Sequence, residues 1–129
     1  MYDWSGFIEL AEQLVKEHPS DETMLRTAVS RAYYGGFNLA RRYVEGPLGT
    51  PISKTGNAHG EVIRALTGSQ SSVNERSAGN VLRQLRDDRR KVDYDDRVAE
   101  LYRTANYALR NARLVRDRLV PVRPAPGST

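Results

Sequence analysis

Residues 98–119 read VAELYRTANYALRNARLVRDRL, and this stretch decides the fold class. Apolar side chains recur in it every three or four positions, which is the period of an α-helix with one buried face. We predict that this helix begins near residue 95 and that Asp93 or Asp95 caps it. Arg103 and Arg110 would lie on its solvent side. The predicted buried stripe consists of Val98, Leu101, Tyr102, Ala105, Ala108, Leu109, Ala112, Val115 and Leu119.

The same period extends through nearly the whole chain. Helices are predicted near residues 4–18, from a cap at Ser20 or Asp21 to about 45, near 58–67 and near 73–91. Loops rich in glycine, proline and small polar residues separate them at 46–56 and 68–72. Outside these loops no segment alternates as a strand does. The sequence therefore predicts an all-α fold, an antiparallel bundle of four longer helices and one short helix.

Composition limits the classes of protein that need be considered. A chain of 129 residues suits one domain, with the bundle at 1–119 and a disordered, proline-containing tail at 120–129. The absence of cysteine excludes disulfides and thiolate metal sites, and two isolated histidines predict neither a metal site nor a cofactor. No apolar run could span a membrane, and the N-terminus lacks the basic start of a signal peptide, so we expect a cytoplasmic protein.

Charge is distributed unevenly along the chain, although the formal net charge is only +4. Residues 1–75 carry 7 Lys or Arg and 9 Asp or Glu, whereas residues 76–118 carry 12 Lys or Arg and 7 Asp or Glu. A basic second half favours an anionic partner such as nucleic acid. The alternative is a pair of solvated helices of mixed charge, because acidic residues interrupt each basic run.

Three segments stand out as candidates for function, and the first is Ser30-Arg31-Ala32-Tyr33-Tyr34-Gly35-Gly36-Phe37. Adjacent residues on a helix point about 100° apart, so one tyrosine of the pair can be buried while the other reaches an edge. Two glycines inside a helix cost about 1 kcal/mol each relative to alanine, which indicates that another element approaches their backbone closely. That element is either a helix of the same chain, or a partner chain or ligand.

The second segment, Lys54-Thr55-Gly56-Asn57-Ala58-His59-Gly60, lies where a predicted loop enters the short helix. Unpaired N–H groups at a helix start, together with Lys54, could bind a phosphate. His59 could carry a proton near neutral pH. The alternative is structural: Asn57 caps the helix and His59 packs against the bundle.

The third segment, residues 85–95, reads LRDDRRKVDYD and is densely charged. Arg83, Arg86 and Arg90 share one helix face at i, i+3, i+7 spacing, and such a row of guanidinium groups could bind phosphates. Equally, the carboxylates of this segment could pair with its cations along the helix, as Arg89 could with Asp93.

The order of these three segments resembles the HEPN family, helical domains associated with nucleotides and RNA. The order is Ser-Arg-Ala-Tyr-Tyr, then Lys-Thr followed by His, then an Arg-rich stretch that ends in Asp-Tyr-Asp. The match covers residues 26–112, and Arg31–Tyr34 and Val92–Asp95 are its most specific parts. The resemblance implies a bundle of four or five helices that often dimerises. It also implies a role in prokaryotic toxin–antitoxin or antiviral defence, beside a nucleotidyltransferase-like or effector protein.

Many members of that family are metal-independent ribonucleases, and the active ones place an Arg-x4-6-His motif from each subunit at a shared interface. Arg89 fits the arginine position, but Tyr94 stands five residues later, and no arginine has a histidine five to seven residues after it. RNA cleavage needs a base for the 2′-hydroxyl, and a tyrosine with a pKa near 10 is a poor one at neutral pH. His59 can replace the missing histidine only if the fold brings it to Arg89.

We therefore expect a HEPN-like, dimeric domain that binds RNA or nucleotide, or a protein that handles nucleic acid. Two alternatives stay open. One is a metal-independent ribonuclease with an altered site built from Arg89, Tyr94 and His59. The other is a non-catalytic module that assembles a larger complex through its Gly35-Gly36 face and its amphipathic last helix. The residues predicted to contact phosphate or line the cleft are Arg83, Arg86, Arg89, Arg90, Lys54, Tyr33 and Tyr34.

Overall fold

Five α-helices make up most of residues 1–119, the part of the chain that the computed structural model describes. In chain order they are α1 (Ser5–Glu17), α2 (Glu22–Glu45), α3 (Ala58–Leu66), α4 (Val73–Tyr94) and α5 (Leu101–Leu119). This range contains no β-strand, so the all-α prediction is confirmed. None of these helices combines the length and apolar composition of a membrane span. The predicted tail at 120–129 lies outside the described residues.

The central helix of the bundle is α2, which contacts each of the other four helices. Its inward face repeats at helical spacing and carries several small residues, which let neighbouring helices pack closely. The buried residues of that face include Leu25, Ala28, Val29, Ala32, Tyr33, Phe37, Ala40 and Val44. Tyr33 is fully buried, whereas Tyr34 is half-buried at the edge. The predicted division of roles between the two tyrosines is confirmed.

The adjacent glycines of α2 mark the points where other helices come closest to its backbone. A Cβ on Gly35 would lie only 2.9 Å from Cγ1 of Ile8 in α1. A Cβ on Gly36 would lie 3.5 Å from Cδ1 of Leu85 and 3.8 Å from Cα of Ala112, in α4 and α5. Both glycines are buried. Internal packing therefore explains both glycines, which is the first of the two alternatives for the element that approaches them.

The corner between α4 and α5 also differs from the prediction. Asp93 lies inside α4, and Asp95, whose N–H donates to the carbonyl of Lys91, ends that helix as its C-cap. Since α5 begins only at Leu101, neither aspartate caps it. The sequence alone does not decide whether an aspartate between two helices starts the second helix or ends the first. In the structure Asp95 ends α4.

Arg26 of α2 provides the physical reason for the late end of α4. Its guanidinium donates to the backbone carbonyl oxygens of Val92 at 2.7 Å, Asp95 at 2.8 Å and Asp96 at 3.0 Å. The last carbonyls of a helix have no partner within the helix. Arg26 supplies partners for carbonyls at this end and so fixes the corner against α2.

The predicted buried stripe of the last helix holds from Leu101 onward except at Tyr102, and Leu101 is partly buried against the core. Val98 precedes α5, and Tyr102 is 52% exposed, so their assignment to the stripe is wrong. The apolar spacing continues through residues 95–100, but these residues are not helical. As predicted, Arg103 and Arg110 are exposed.

Of the caps predicted for α2 and α3, one is confirmed and one is not. Asp21 caps α2, because its Oδ1 accepts a hydrogen bond from the N–H of Met24 at 3.0 Å. Asn57 occupies the N-cap position of α3 but makes no side-chain hydrogen bond there.

Candidate functional site

Arg89, on one flank of α4, packs against the tyrosine pair of α2. Its guanidinium carbon lies 5.2 Å from the ring centroid of Tyr33 and 5.7 Å from that of Tyr34. These distances are within the range of cation–π attraction. Arg31 lies 5.5 Å from the same Tyr34 ring. The half-buried ring of Tyr34 therefore contacts two guanidinium groups.

His59 joins this site from the first turn of α3. Its Nδ1 forms a hydrogen bond with the hydroxyl of Tyr33, and the centroids of its ring and of Phe37 are 4.2 Å apart. Because Tyr33 also contacts Arg89, one tyrosine connects the histidine of the second segment with the arginine of the third. The structural alternative for His59, packing against the bundle, is confirmed, and the same packing brings it into this site.

Positive charges surround His59. Its pKa is lowered from 6.5 to about 4, first by burial and then by the fields of Arg86, Arg89 and Arg90. The imidazole is therefore neutral at pH 7. The same three arginines act on Tyr33, but burial outweighs them and raises the pKa of that phenol, which stays protonated. We refer to Arg86, Arg89 and Arg90 as the arginine cluster.

The protonation states of Tyr33 and His59 decide which hydrogen bonds the pair can still form. Tyr33 is fully buried, and within residues 1–119 its hydroxyl has no partner other than His59, so it donates its proton to Nδ1. A neutral imidazole has one proton, which Nε2 then carries. Nε2 has no hydrogen-bond partner within residues 1–119, and His59 as a whole is only partly buried. His59 therefore offers one N–H donor near the arginine cluster.

Much of the hydrogen-bonding capacity of the arginine cluster is unused. Arg89 pairs with Asp93, but the distance from Nη1 to Oδ2 is 3.4 Å, which is long for a charged pair. Among residues 1–119, Arg86 and Arg90 have no carboxylate within 4.0 Å. The Nε atoms of Arg86 and Arg89 are buried without a hydrogen-bond partner. Leaving a buried donor unpaired costs free energy.

Three predicted site residues make no contact with this site. Lys54 is exposed on the loop before α3, and Arg83 is exposed and makes one long contact, 3.4 Å, to Asn80. Tyr94 is 76% exposed. Five residues turn a helix by about 140°, so Tyr94 points to a different side of α4 from Arg89.

Sequence reasoning missed Arg31 as a site residue, although it stood in the first segment. Arg31 contacts both Tyr34 and Phe7, with its guanidinium carbon 5.1 Å from the Phe7 ring centroid. The i, i+3 spacing of Arg31 and Tyr34, which places side chains beside each other on a helix, could have indicated it.

No family model, no curated protein and no solved structure matches the chain. The resemblance to the HEPN family therefore stays a prediction from the three segments. Within residues 1–119, no three His, Asp or Glu side chains are grouped so that they could hold a metal ion.

Proposed function

We propose that the chain binds RNA, with the arginine cluster holding backbone phosphates. The observation that carries this proposal is that Arg86 and Arg90, which lie on the flank of α4 near His59, have no carboxylate within 4.0 Å among residues 1–119. A guanidinium group presents a planar fork of donors that matches the oxygens of a phosphate. The neutral His59 adds a donor without adding a charge.

The aromatic edge of the same site favours RNA over a simple anion. Tyr34 is half-buried between Arg31 and Arg89 and keeps part of its ring accessible. Unpaired RNA bases stack on tyrosine rings and on guanidinium planes, and single-stranded binding sites combine such stacking with a basic groove. Phosphate donors beside an accessible ring therefore suit a single-stranded segment.

Fluorescence anisotropy with a labelled single-stranded RNA tests the proposal over a series of salt concentrations. We expect Arg86→Gln and Arg90→Gln each to weaken binding and to reduce the slope of log K against log salt by about 0.7, the contribution of one phosphate contact. Arg110→Gln is the matched control, because it removes the same charge from the exposed face of α5. Equal loss in all three variants, or binding that does not depend on salt, would contradict the proposal.

A second candidate is a metal-independent ribonuclease, favoured by the contact of His59 with the tyrosine that Arg89 also touches. In this reading Tyr94 has no role, and the altered site consists of Arg89 and His59. Nε2 of the neutral His59 could donate a hydrogen bond to the leaving oxygen, and the arginine cluster could stabilise charge on the phosphate. A base for the 2′-hydroxyl would have to come from another group, which is why binding is the leading proposal.

Incubation with RNA in the presence of EDTA separates the two candidates. Cleavage that His59→Gln and Arg89→Gln both abolish would support the ribonuclease. If the RNA stays intact under conditions that saturate binding, the ribonuclease is excluded and RNA binding without cleavage remains.

The HEPN-like segments extend the proposal to its biological setting. We propose a cytoplasmic, dimeric protein of a prokaryotic defence or toxin–antitoxin system that acts with a nucleotidyltransferase-like or effector partner. Neighbouring genes test the setting, and light scattering tests the dimer. A monomer whose gene has no such neighbour would contradict this extension without affecting RNA binding.

A further inference from the structure

A second cleft lies between α4 and α5, on the flank of α4 away from the arginine cluster. Its volume is about 330 Å³, and its lining residues are Gln84, Asp88, Thr104, Tyr107 and Asn111. This volume is at the lower end of the range for small-molecule sites. Around the helix, Arg86 and Arg90 point about 160° away from Asp88, and Arg89 points about 100° away from it. The cleft is therefore separate from the proposed RNA site.

Asp88 is the charged member of this lining, and it is only 7% exposed. Its Oδ1 accepts one long hydrogen bond, 3.4 Å, from Nε2 of Gln84. Within residues 1–119, no Lys or Arg nitrogen lies within 4.0 Å of its carboxylate. Burial raises the pKa of this carboxyl group, and the charge of Lys91 opposes that shift. A buried carboxylate with so little compensation is costly unless a positive group joins it.

The polar side chains of α5 that face Asp88 are also without partners. The hydroxyl of Thr104 makes no hydrogen bond in the described chain, whereas those of Thr27 and Thr67 each donate to the carbonyl four residues earlier at 2.7 Å. The amide of Asn111 and the hydroxyl of Tyr107 likewise have no partner within residues 1–119. The cleft therefore presents several free acceptors beside one buried carboxylate.

We propose that this cleft binds a small organic cation that carries an amine or guanidinium group, with Asp88 as its counter-ion. The N–H donors of such a group match the carboxylate and the oxygens of Thr104 and Asn111. Tyr107 is 52% exposed, so its ring can cover the bound cation through cation–π attraction. This function goes beyond RNA binding, because the residues that line the cleft are different from those of the proposed RNA site.

Titration of the ¹⁵N-labelled protein with agmatine, followed by NMR, tests this site. N-butylurea serves as the neutral ligand of similar shape. We expect agmatine to cause saturable shifts in the amide signals of residues 84–88 and 104–111, and N-butylurea to cause none. The Asp88→Asn variant should bind agmatine at least about tenfold more weakly, since it removes the charge and keeps the shape.

The neighbouring residue offers a matched control. Asp87→Asn removes the same charge one residue away, at an exposed position, and should change the affinity less than about twofold. Tyr107→Leu removes the aromatic wall and should weaken binding a few-fold. If Asp88→Asn does not fold, Tyr107→Leu decides, and unchanged affinity in it would overturn the proposal. So would the absence of saturable binding, equal effects of Asp87→Asn and Asp88→Asn, or equal binding of both ligands.

Discussion

The guanidinium groups of Arg26 and of the arginine cluster have different surroundings in the same bundle. Arg26 donates to three backbone carbonyl oxygens at the end of α4 and also pairs with Glu22 at 3.1 Å. Arg86 and Arg89 instead hold buried Nε atoms that lack a partner in the described chain. A satisfied guanidinium stabilises the fold, whereas the arginine cluster keeps donors that we propose serve an external anion. Substitutions at the two places should therefore change different properties.

Loss of Arg26 should have the largest effect on stability. Arg26→Met keeps an unbranched side chain but removes every hydrogen bond to the corner of α4, and we expect the free energy of unfolding to fall by about 2–3 kcal/mol. RNA affinity of the folded protein should not change. Urea denaturation and anisotropy measure the two properties.

Arg42 is the control for this substitution. Its guanidinium makes one backbone contact, to the carbonyl of Tyr2 at 2.8 Å. Arg42→Met should therefore lower the free energy of unfolding by only about 1 kcal/mol. If both variants lose the same amount, the corner of α4 does not depend on Arg26 in the way inferred above.

The second largest effect should be a pH dependence of the free energy of unfolding, caused by the lowered pKa of His59 beside the arginine cluster. The pKa of His59 is about 4 in the folded protein and 6.5 when unperturbed, so between these values the unfolded chain binds more protons. This contribution is fully present above pH 6.5 and is lost as the pH falls from 6.5 through 4. Allowing for solvent screening of a half-buried group, we expect a loss of about 2 kcal/mol.

Denaturation of His59→Gln at the same pH values isolates this loss from the titration of carboxylates. An NMR titration of His59 then separates the two arginine regions. Arg86→Gln should raise the pKa of His59, because it removes one of the positive fields, and Arg26→Met should leave that pKa unchanged. A normal pKa in the unmodified protein would show that the cluster does not surround His59.

Arg89→Lys distinguishes the shape of the guanidinium group from its charge. Lysine keeps the positive charge but loses the planar group that packs against Tyr33 and Tyr34, and we expect a loss of stability of about 1 kcal/mol. RNA affinity should fall a few-fold while the salt dependence stays the same, because the number of charges does not change. A reduced salt slope would mean that the loss is electrostatic instead.

Much of this fold follows from local patterns in the sequence, whereas the site depends on contacts across the bundle. The apolar period predicts each helix, and adjacency on α2 predicts that one tyrosine of the pair is buried. The corner after α4 was predicted wrongly because it depends on Arg26, whose partners lie 66 to 70 residues away. The link between His59 and Arg89 likewise passes through Tyr33, on a third helix.

The smallest predicted effect on stability comes from Asp93, the one carboxylate within residues 1–119 that pairs with the arginine cluster. The contact of Asp93 with Arg89 is long and lies on the surface of α4, so Asp93→Asn should lower the free energy of unfolding by no more than about 0.5 kcal/mol. The same substitution frees Arg89 and removes a negative charge beside the bound phosphates, so RNA affinity should rise a few-fold. Asp117→Asn removes the same charge from the exposed face of α5 and should leave affinity nearly unchanged. If stability falls and RNA affinity rises in Asp93→Asn but not in Asp117→Asn, then Asp93 competes with RNA for Arg89 and a general change in net charge is excluded as the cause. Weaker RNA binding in Asp93→Asn would argue against a phosphate at Arg89.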